Sequence, residues 1–266
     1  MFEVMAIQND PNKAKIYDDA GIDRIFIDLE QIGKQERQKN VNAVFNTHTL
    51  SDIHQVKSKI KKSSLLVRIN PIHKNSEKEI NSVIDAGADF IMLPMFKTLH
   101  EVDLFLNYVS QRAKTTLLFE TAESICLLSE LCKNPKVHEV YVGLNDMHLS
   151  LNMSFLFEPL IYGIIDVFSK FSHENNKSFG FGGIGTLDSG LIPGKHILAE
   201  HVRLKSNLVI LSRAFFSEFN NNYDHLNVKV NEIKKLHQSY SSQTESHFFN
   251  NNKKLIKETV SKIIRK

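Results

Sequence analysis

The segment Asp85-Ala86-Gly87-Ala88-Asp89-Phe90-Ile91-Met92-Leu93-Pro94 carries one complete structural transition. A glycine closes a helix, because a residue without Cβ tolerates the left-handed backbone that ends helices. An apolar run begins almost at once, as expected of a strand buried on both faces. Asp19-Ala20-Gly21-Ile22-Asp23 repeats the device ahead of Arg24–Asp28. Six further runs read the same way: Glu3–Gln8, Ser64–Ile69, Thr116–Glu120, Val137–Val142, Phe179–Gly183 and Leu208–Ser212, with Phe90–Pro94 as the fourth in order. Between them apolar residues recur at helical spacing, as at Leu99, Val102, Phe105, Leu106 and Val109. Eight such repeats in 266 residues predict an α/β fold, a closed parallel (β/α)8 TIM barrel, which needs about 250 residues.

The barrel is expected over residues 1–239. Residues 240–252 are polar and poor in aliphatics and read as a linker. Lys253–Lys266 reads as a basic amphipathic helix with Leu255, Ile256, Val260, Ile263 and Ile264 on one side. It is expected to pack on its own barrel or on a neighbour. A membrane-surface role is the weaker reading for a helix of about fourteen residues.

With 42% hydrophobic and 24% charged residues, the chain can bury a sizeable core. Its 33 basic and 30 acidic residues leave a net charge of +3, too balanced to argue for nucleic acid or membrane. Cys126 and Cys132 lie six residues apart in one helical stretch, on different faces, and read as reduced thiols of a cytoplasmic protein. Met1–Ala6 shows neither a basic region nor a long apolar run, so no signal peptide or membrane span is expected.

In a barrel of this kind, chemistry sits where the strands end at their C-terminal side. There the sequence delivers Asp28, Glu30 and Gln31, then Arg68, Pro94, Glu120, Asp146, and the turn Gly182-Gly183-Ile184-Gly185. Glu120 and Asp146 close two apolar runs about one βα unit apart. Two carboxylates with waters would suit Mg2+ or Mn2+; as helix caps or partners of buried arginines they would look the same in sequence. Arg68 ends an apolar strand. Its fork could seat the carboxylate of a 2-oxo acid, or form a buried salt bridge with Asp28 or Glu30. The glycine turn could cradle an anion or a phosphate, or could simply need a positive φ. Lys34 and Lys97 lie beyond strand ends and could line the mouth. Strand six, where barrel Schiff-base aldolases often keep a lysine, reads Val140-Tyr141-Val142, which counts against imine chemistry. No zinc signature, nucleophile elbow or Walker loop occurs.

Five phrases in order resemble the HpcH/HpaI aldolase and citrate lyase β-subunit family of the phosphoenolpyruvate/pyruvate barrel superfamily. They are Ala20–Glu30, Leu66–Asn70, Gly87–Pro94, Phe119–Glu123 and Gly143–Leu151. The resemblance implies a divalent-metal-dependent carbon–carbon lyase joining or separating a pyruvate enolate and an aldehyde, sugar-derived or phosphorylated. Arg68 would bind the 2-oxo acid, and Glu120 and Asp146 would hold Mg2+ or Mn2+. The resemblance also implies a homo-oligomer, trimer or hexamer, with an exchanged C-terminal helix. Independently of the resemblance, Pro94, Gly182 and Gly183 at the strand ends are expected to contact substrate.

The sequence departs from that pattern at Gln31, where pyruvate aldolases of the family carry histidine and the citrate lyase branch aspartate. Glutamine cannot shuttle a proton, so Asp28, His48 or a water is expected to take over. His48 follows strand two in Phe45-Asn46-Thr47-His48-Thr49, a polar segment that could fold over the mouth or stay an ordinary loop. His148 stands where the family has serine, and the glycine-rich strand-seven turn is atypical of its simplest members. Three alternatives follow. The first is an acyl-CoA lyase of the malyl or citramalyl type, with Lys34, Arg37 and Lys39 as a basic rim. The second is a 2-oxo acid-binding barrel without turnover, and the third a flavin or sugar-phosphate barrel using the strand-seven glycines.

Overall fold

Strands β1 (Glu3–Ile7), β2 (Arg24–Asp28), β3 (Ser64–Arg68), β4 (Phe90–Leu93), β5 (Lys114–Phe119), β6 (Glu139–Val142), β7 (Ser178–Ile184) and β8 (Leu208–Leu211) run parallel in chain order. β8 pairs back onto β1, so the sheet is a closed barrel without an edge. The computed structural model describes residues 2–33, 48–220, 222–243 and 246–265. All eight expected strands are present, each within two residues of its expected limits. The two glycine devices behave as anticipated: Gly21 and Gly87 follow their helices at φ 89° and 101°.

The helices among the described residues alternate with the strands. They are α1 (Pro11–Asp19), α2 (Leu50–Lys59), α3 (Ser76–Asp85), α4 (Leu99–Val109), α5 (Ala122–Lys133), α6 (Leu144–Ser150), α7 (Glu158–Ile161), α8 (Ile164–Glu174), α9 (Gly194–Arg203) and α10 (Arg213–Ser217). Two more, α11 (Leu226–Ser241) and α12 (Ser246–Ile264), follow the barrel. Local chemistry sets several of their starts. The Asp10 carboxylate caps α1 through the amides of Asn12 and Lys13, and Thr98 with Glu101 forms a capping box on α4.

Two apolar layers result. The larger lies between sheet and helices. The smaller fills the barrel with Met5, Phe26, Leu66, Phe90, Met92, Leu118, Tyr141 and Leu208. The N-terminal end of the barrel is sealed by a buried ion pair. Arg24 donates through both terminal nitrogens to Glu139 at 2.7 Å and through Nε to Glu3 at 2.6 Å, and it stacks on Phe90. Thr116 donates to the same Glu139 carboxylate at 2.7 Å. This end is saturated, so the opposite end is the place for a ligand.

The tail differs from expectation. The polar stretch read as a linker over residues 240–252 is helical from Ser246 onward. Tertiary bonds provide the reason. Asn252 is buried, donates to His196 O and to Glu200 Oε1 at 3.0 Å each, and pairs its Oδ1 with His196 Nδ1 at 2.8 Å. Ile256 and Val260 complete the seam, so α12 packs on α9 and α7 of its own chain. Cys126 and Cys132 are both free thiols, Cys126 exposed and Cys132 buried. Among the described residues no helix is long and apolar enough to cross a membrane.

Candidate functional site at the barrel mouth

A cavity of about 250 Å3 opens at the C-terminal end of the strands. Arg68, Glu120, Asn145 and Asp146 supply its polar side, from the ends of β3 and β5 and from α6. Phe26, Met92, Leu118 and Tyr141, part of the barrel filling, form the base. Gly182, Gly183 and Ile210 close the side formed by β7 and β8. Arg68, Glu120 and Asp146, separated by up to 78 residues in sequence, therefore share one cavity.

Arg68 is held from behind. Its Nε and Nη2 each donate at 2.8 Å to the two oxygens of buried Asp28, in a bidentate pair. Nη1 lies 3.3 Å from Glu30 Oε2 and 3.7 Å from Glu120 Oε1. Burial, the largest single influence, works against the charge. The carboxylates of Asp28, Glu30 and Glu120 outweigh it and push the guanidinium pKa above its ordinary value. The salt bridge to Asp28 and the position on the cavity wall thus coexist in one residue.

Glu120 and Asp146 are set by the start of α6. Gly143, its N-cap, leaves no space for a side chain: a Cβ there would stand 2.7 Å from Glu120 Oε1 and 2.8 Å from its Cγ. Ser150, in the last turn of α6, accepts from the Ala122 amide at 2.8 Å, which ties α6 to the first turn of α5 just after Glu120. Thr121 caps α5 through the Ser124 amide and donates to Phe96 O. Two hard carboxylates, with no histidine or cysteine lining the cavity among the described residues, could hold Mg2+ or Mn2+, which keep several waters of their own. Among the described residues no group of three or more His, Cys, Asp or Glu forms a closed metal cage. The donor set fits the hydrated kind of site rather than a zinc-type one.

Other predicted residues lie elsewhere. His48 is buried, and its Nδ1 accepts the Asp28 amide at 2.9 Å, so it braces the end of β2. With Gln31 it lines a separate cavity walled by Asn70 and Glu79. Asn70 Oδ1 accepts the amides of Gln31 and Ile32, which turns that loop away from the Arg68 cavity. Pro94 is buried beyond β4, and the β4 side chain that reaches the cavity is Met92. Lys97 pairs with Glu123 at 3.1 Å on the exposed surface. His148 is buried with Nδ1 3.2 Å from Leu144 O of its own helix. Lys34, Arg37 and Lys39 lie outside the described residues.

The glycine turn meets its steric reading at Gly182, whose φ is 52° and whose missing Cβ makes room for Leu144 Cδ1. The first two amides of α9 already donate to Thr186 O and Leu187 O, so they offer no phosphate cradle. Sequence reasoning passed over Gly143 and Tyr141. Their partners lie 23 to 69 residues away in sequence, and the only local sign was a glycine directly after a strand.

A family model described as HpcH/HpaI aldolase/citrate lyase matches residues 5–155, more than half of the chain. Solved structures with the same fold include an HpcH/HpaI aldolase from Desulfitobacterium hafniense DCB-2 at 14% identity and TM-score 0.60, covering 88% of this chain and 92% of that one. Macrophomate synthase aligns at 14% identity and TM-score 0.61, covering 88% and 85%. The citrate lyase β subunit from M. tuberculosis, complexed with oxaloacetate and magnesium, aligns at 13% and 0.61, covering 89% and 96%. At these identities the likeness is one of fold. None of the curated proteins compared matches the chain.

Proposed function

Because the chain belongs to the HpcH/HpaI aldolase/citrate lyase family, we propose that it is a divalent-metal-dependent carbon–carbon lyase joining or cleaving a pyruvate enolate and an aldehyde. The observation that carries this reading is the meeting of Arg68, Glu120 and Asp146 on one small cavity at the barrel mouth. Glu120 and Asp146 would hold Mg2+ or Mn2+, which supplies Lewis acidity toward the keto oxygen of the substrate. Arg68 binds the substrate carboxylate. It has five N–H donors; Asp28 takes one from Nε and one from Nη2, and Glu30 and Glu120 flank Nη1 at 3.3 and 3.7 Å, so the guanidinium is oriented by these carboxylates while its further N–H groups receive the substrate. The apolar base of Phe26, Met92 and Leu118 excludes water beneath the reacting carbon, which strengthens every charge interaction above it. Asp28 orients and does not shuttle protons in this scheme, because both its oxygens are engaged by Arg68. Among the described residues no histidine lines this cavity, so we assign proton transfer to water at the mouth.

That assignment also keeps a second reading in view, a 2-oxo acid-binding barrel without turnover. The test is a screen of aldehydes with pyruvate and Mn2+, read by mass spectrometry, beside direct binding of oxalate. Adduct formation that disappears in Glu120→Gln and Asp146→Asn supports the lyase. Oxalate binding without any adduct supports the second reading, and neither result in wild type removes both.

A further inference from the structure

Tyr141 occupies the centre of the barrel, 1% exposed, with its ring at the base of the mouth cavity. Its hydroxyl makes two bonds, one to β7 and one to β8. It donates to Gly182 O at 2.5 Å and accepts from the Ile210 amide at 3.1 Å. Those two groups lie where the β7–β8 ladder loses register. Gly180 pairs with Leu208, Gly183 pairs with Ile210, and the intervening residues bulge. A bulge leaves backbone groups without their ladder partners, and buried backbone groups must be paired. Here a side chain supplies the missing rung. Burial raises the phenol pKa well above its ordinary value and outweighs the lowering by the Ile210 amide, so the hydroxyl keeps its proton and remains a donor.

The surroundings are built to admit it. A Cβ on Gly180 would lie 2.5 Å from Tyr141 Cε2, so that strand position accepts only glycine. Gly182, whose carbonyl the hydroxyl holds, packs against Leu144, the first residue of the helix that carries Asn145 and Asp146. Gly182 and Gly183 are themselves cavity wall. We infer that Tyr141 is a positioning residue: its hydroxyl pegs the β7 bulge, and the pegged bulge fixes the cavity wall facing Arg68 and thereby the size of 2-oxo acid the cavity admits. The size claim rests on the proposed function, whereas the peg itself does not.

The test uses Tyr141→Phe, which keeps the ring and removes only the rung. Amide hydrogen exchange should accelerate at least tenfold at Ile210 while Val209 and Leu211 stay within threefold of wild type. Calorimetric titration with Mn2+ present should show the preference for pyruvate over 2-oxobutanoate falling at least threefold. Unchanged exchange at Ile210 overturns the peg. Faster exchange with an unchanged preference overturns the wall. A wild-type protein that binds neither acid refutes the proposed function and the size claim together, and the exchange measurement still decides the peg. Should Tyr141→Phe fail to fold, 3-fluorotyrosine at position 141 replaces it. That hydroxyl is a weaker acceptor, so the Ile210 amide proton resonance must move upfield, and a resonance that does not move rejects the bond.

Discussion

Gly143→Ala isolates the geometry on which the proposed metal pair depends. The backbone at Gly143 has φ −81° and ψ 91°, which alanine can adopt, so the substitution adds one methyl group and little backbone strain. That methyl would stand 2.7 Å from Glu120 Oε1, where ordinary contact begins at 3.4 Å. The oxygen must therefore retreat by about 0.7 Å, several times the ±0.2 Å within which metal–ligand distances normally fall. Rotating the carboxylate alone does not relieve the clash, because Cγ would lie 2.8 Å from the same methyl. Loss of the N-cap glycine and overpacking against buried Glu120 should together cost about 1–3 kcal/mol, or about 2–12 °C in melting temperature. Mn2+ affinity should fall by about 10–100-fold, equivalent to about 1.4–2.7 kcal/mol. Titration of free Mn2+ by electron paramagnetic resonance on wild type, Gly143→Ala and Glu120→Gln reads this directly. Gly143→Ala binding within twofold of wild type, while Glu120→Gln loses the ion, would refute the steric argument. Equal binding by all three proteins would instead remove Glu120 from the metal site.

Arg68→Lys keeps the charge but cannot form two parallel bonds with Asp28. Urea unfolding should show a loss of about 1–3 kcal/mol, and oxalate affinity should drop at least thirtyfold by calorimetry; retained oxalate affinity would take Arg68 out of substrate binding. A pH effect is expected at the other end of the barrel, where buried His201 stacks on Phe181 and His237 stacks on Phe2. Burial lowers their pKa values to about 3 and about 4, against about 6.5 when unfolded. The unfolded chain therefore takes up the protons first. Stability is complete above about pH 6.5 and declines as pH falls toward 4, by about 1.4 kcal/mol per pH unit for His201 and by less for the partly exposed His237. A urea midpoint that stays flat between pH 7 and pH 5 would contradict this. Asn252→Ala removes the bonds from α12 to His196 and Glu200; the local cost of about 1–3 kcal/mol should make α12 the first site of limited proteolysis, and an unchanged cleavage pattern would show that the apolar seam alone holds it.

The barrel was legible because each strand is apolar enough to be buried on both sides and each is preceded or followed by a break in that pattern. Phe90–Leu93 and Leu208–Leu211 contain no polar residue at all. Helix α12 was legible only in its second half. Its first turns carry Phe248, Phe249 and three asparagines in place of a repeating aliphatic stripe, and Asn252 is buried because α9 offers it partners. A polar residue satisfied by tertiary hydrogen bonds looks in sequence like a residue awaiting solvent.

The same limit divides the site. Arg68 and Glu120 sit at or just past strand ends and Asp146 in the first turn of the helix that follows β6 directly, so strand ends and that helix start carried them to one mouth. Gln31 lies only three residues past β2, but among the described residues no helix turn starts directly at that strand end to fix it or His48, and hydrogen bonds decide where they go. Asn70 captures the amides of Gln31 and Ile32, His48 takes the amide of Asp28, and both side chains turn to a second cavity. No periodicity encodes such captures, since Asn70 comes from the next βα unit and His48 lies 20 residues from Asp28. A strand end, or a helix turn that begins directly after it as α6 does after β6, is thus the position that sequence specifies well in this fold. The proton-transfer role, which the resemblance implies just beyond β2 and which our proposal gives to water instead, is where the departure in sequence at Gln31 and the departure in geometry coincide.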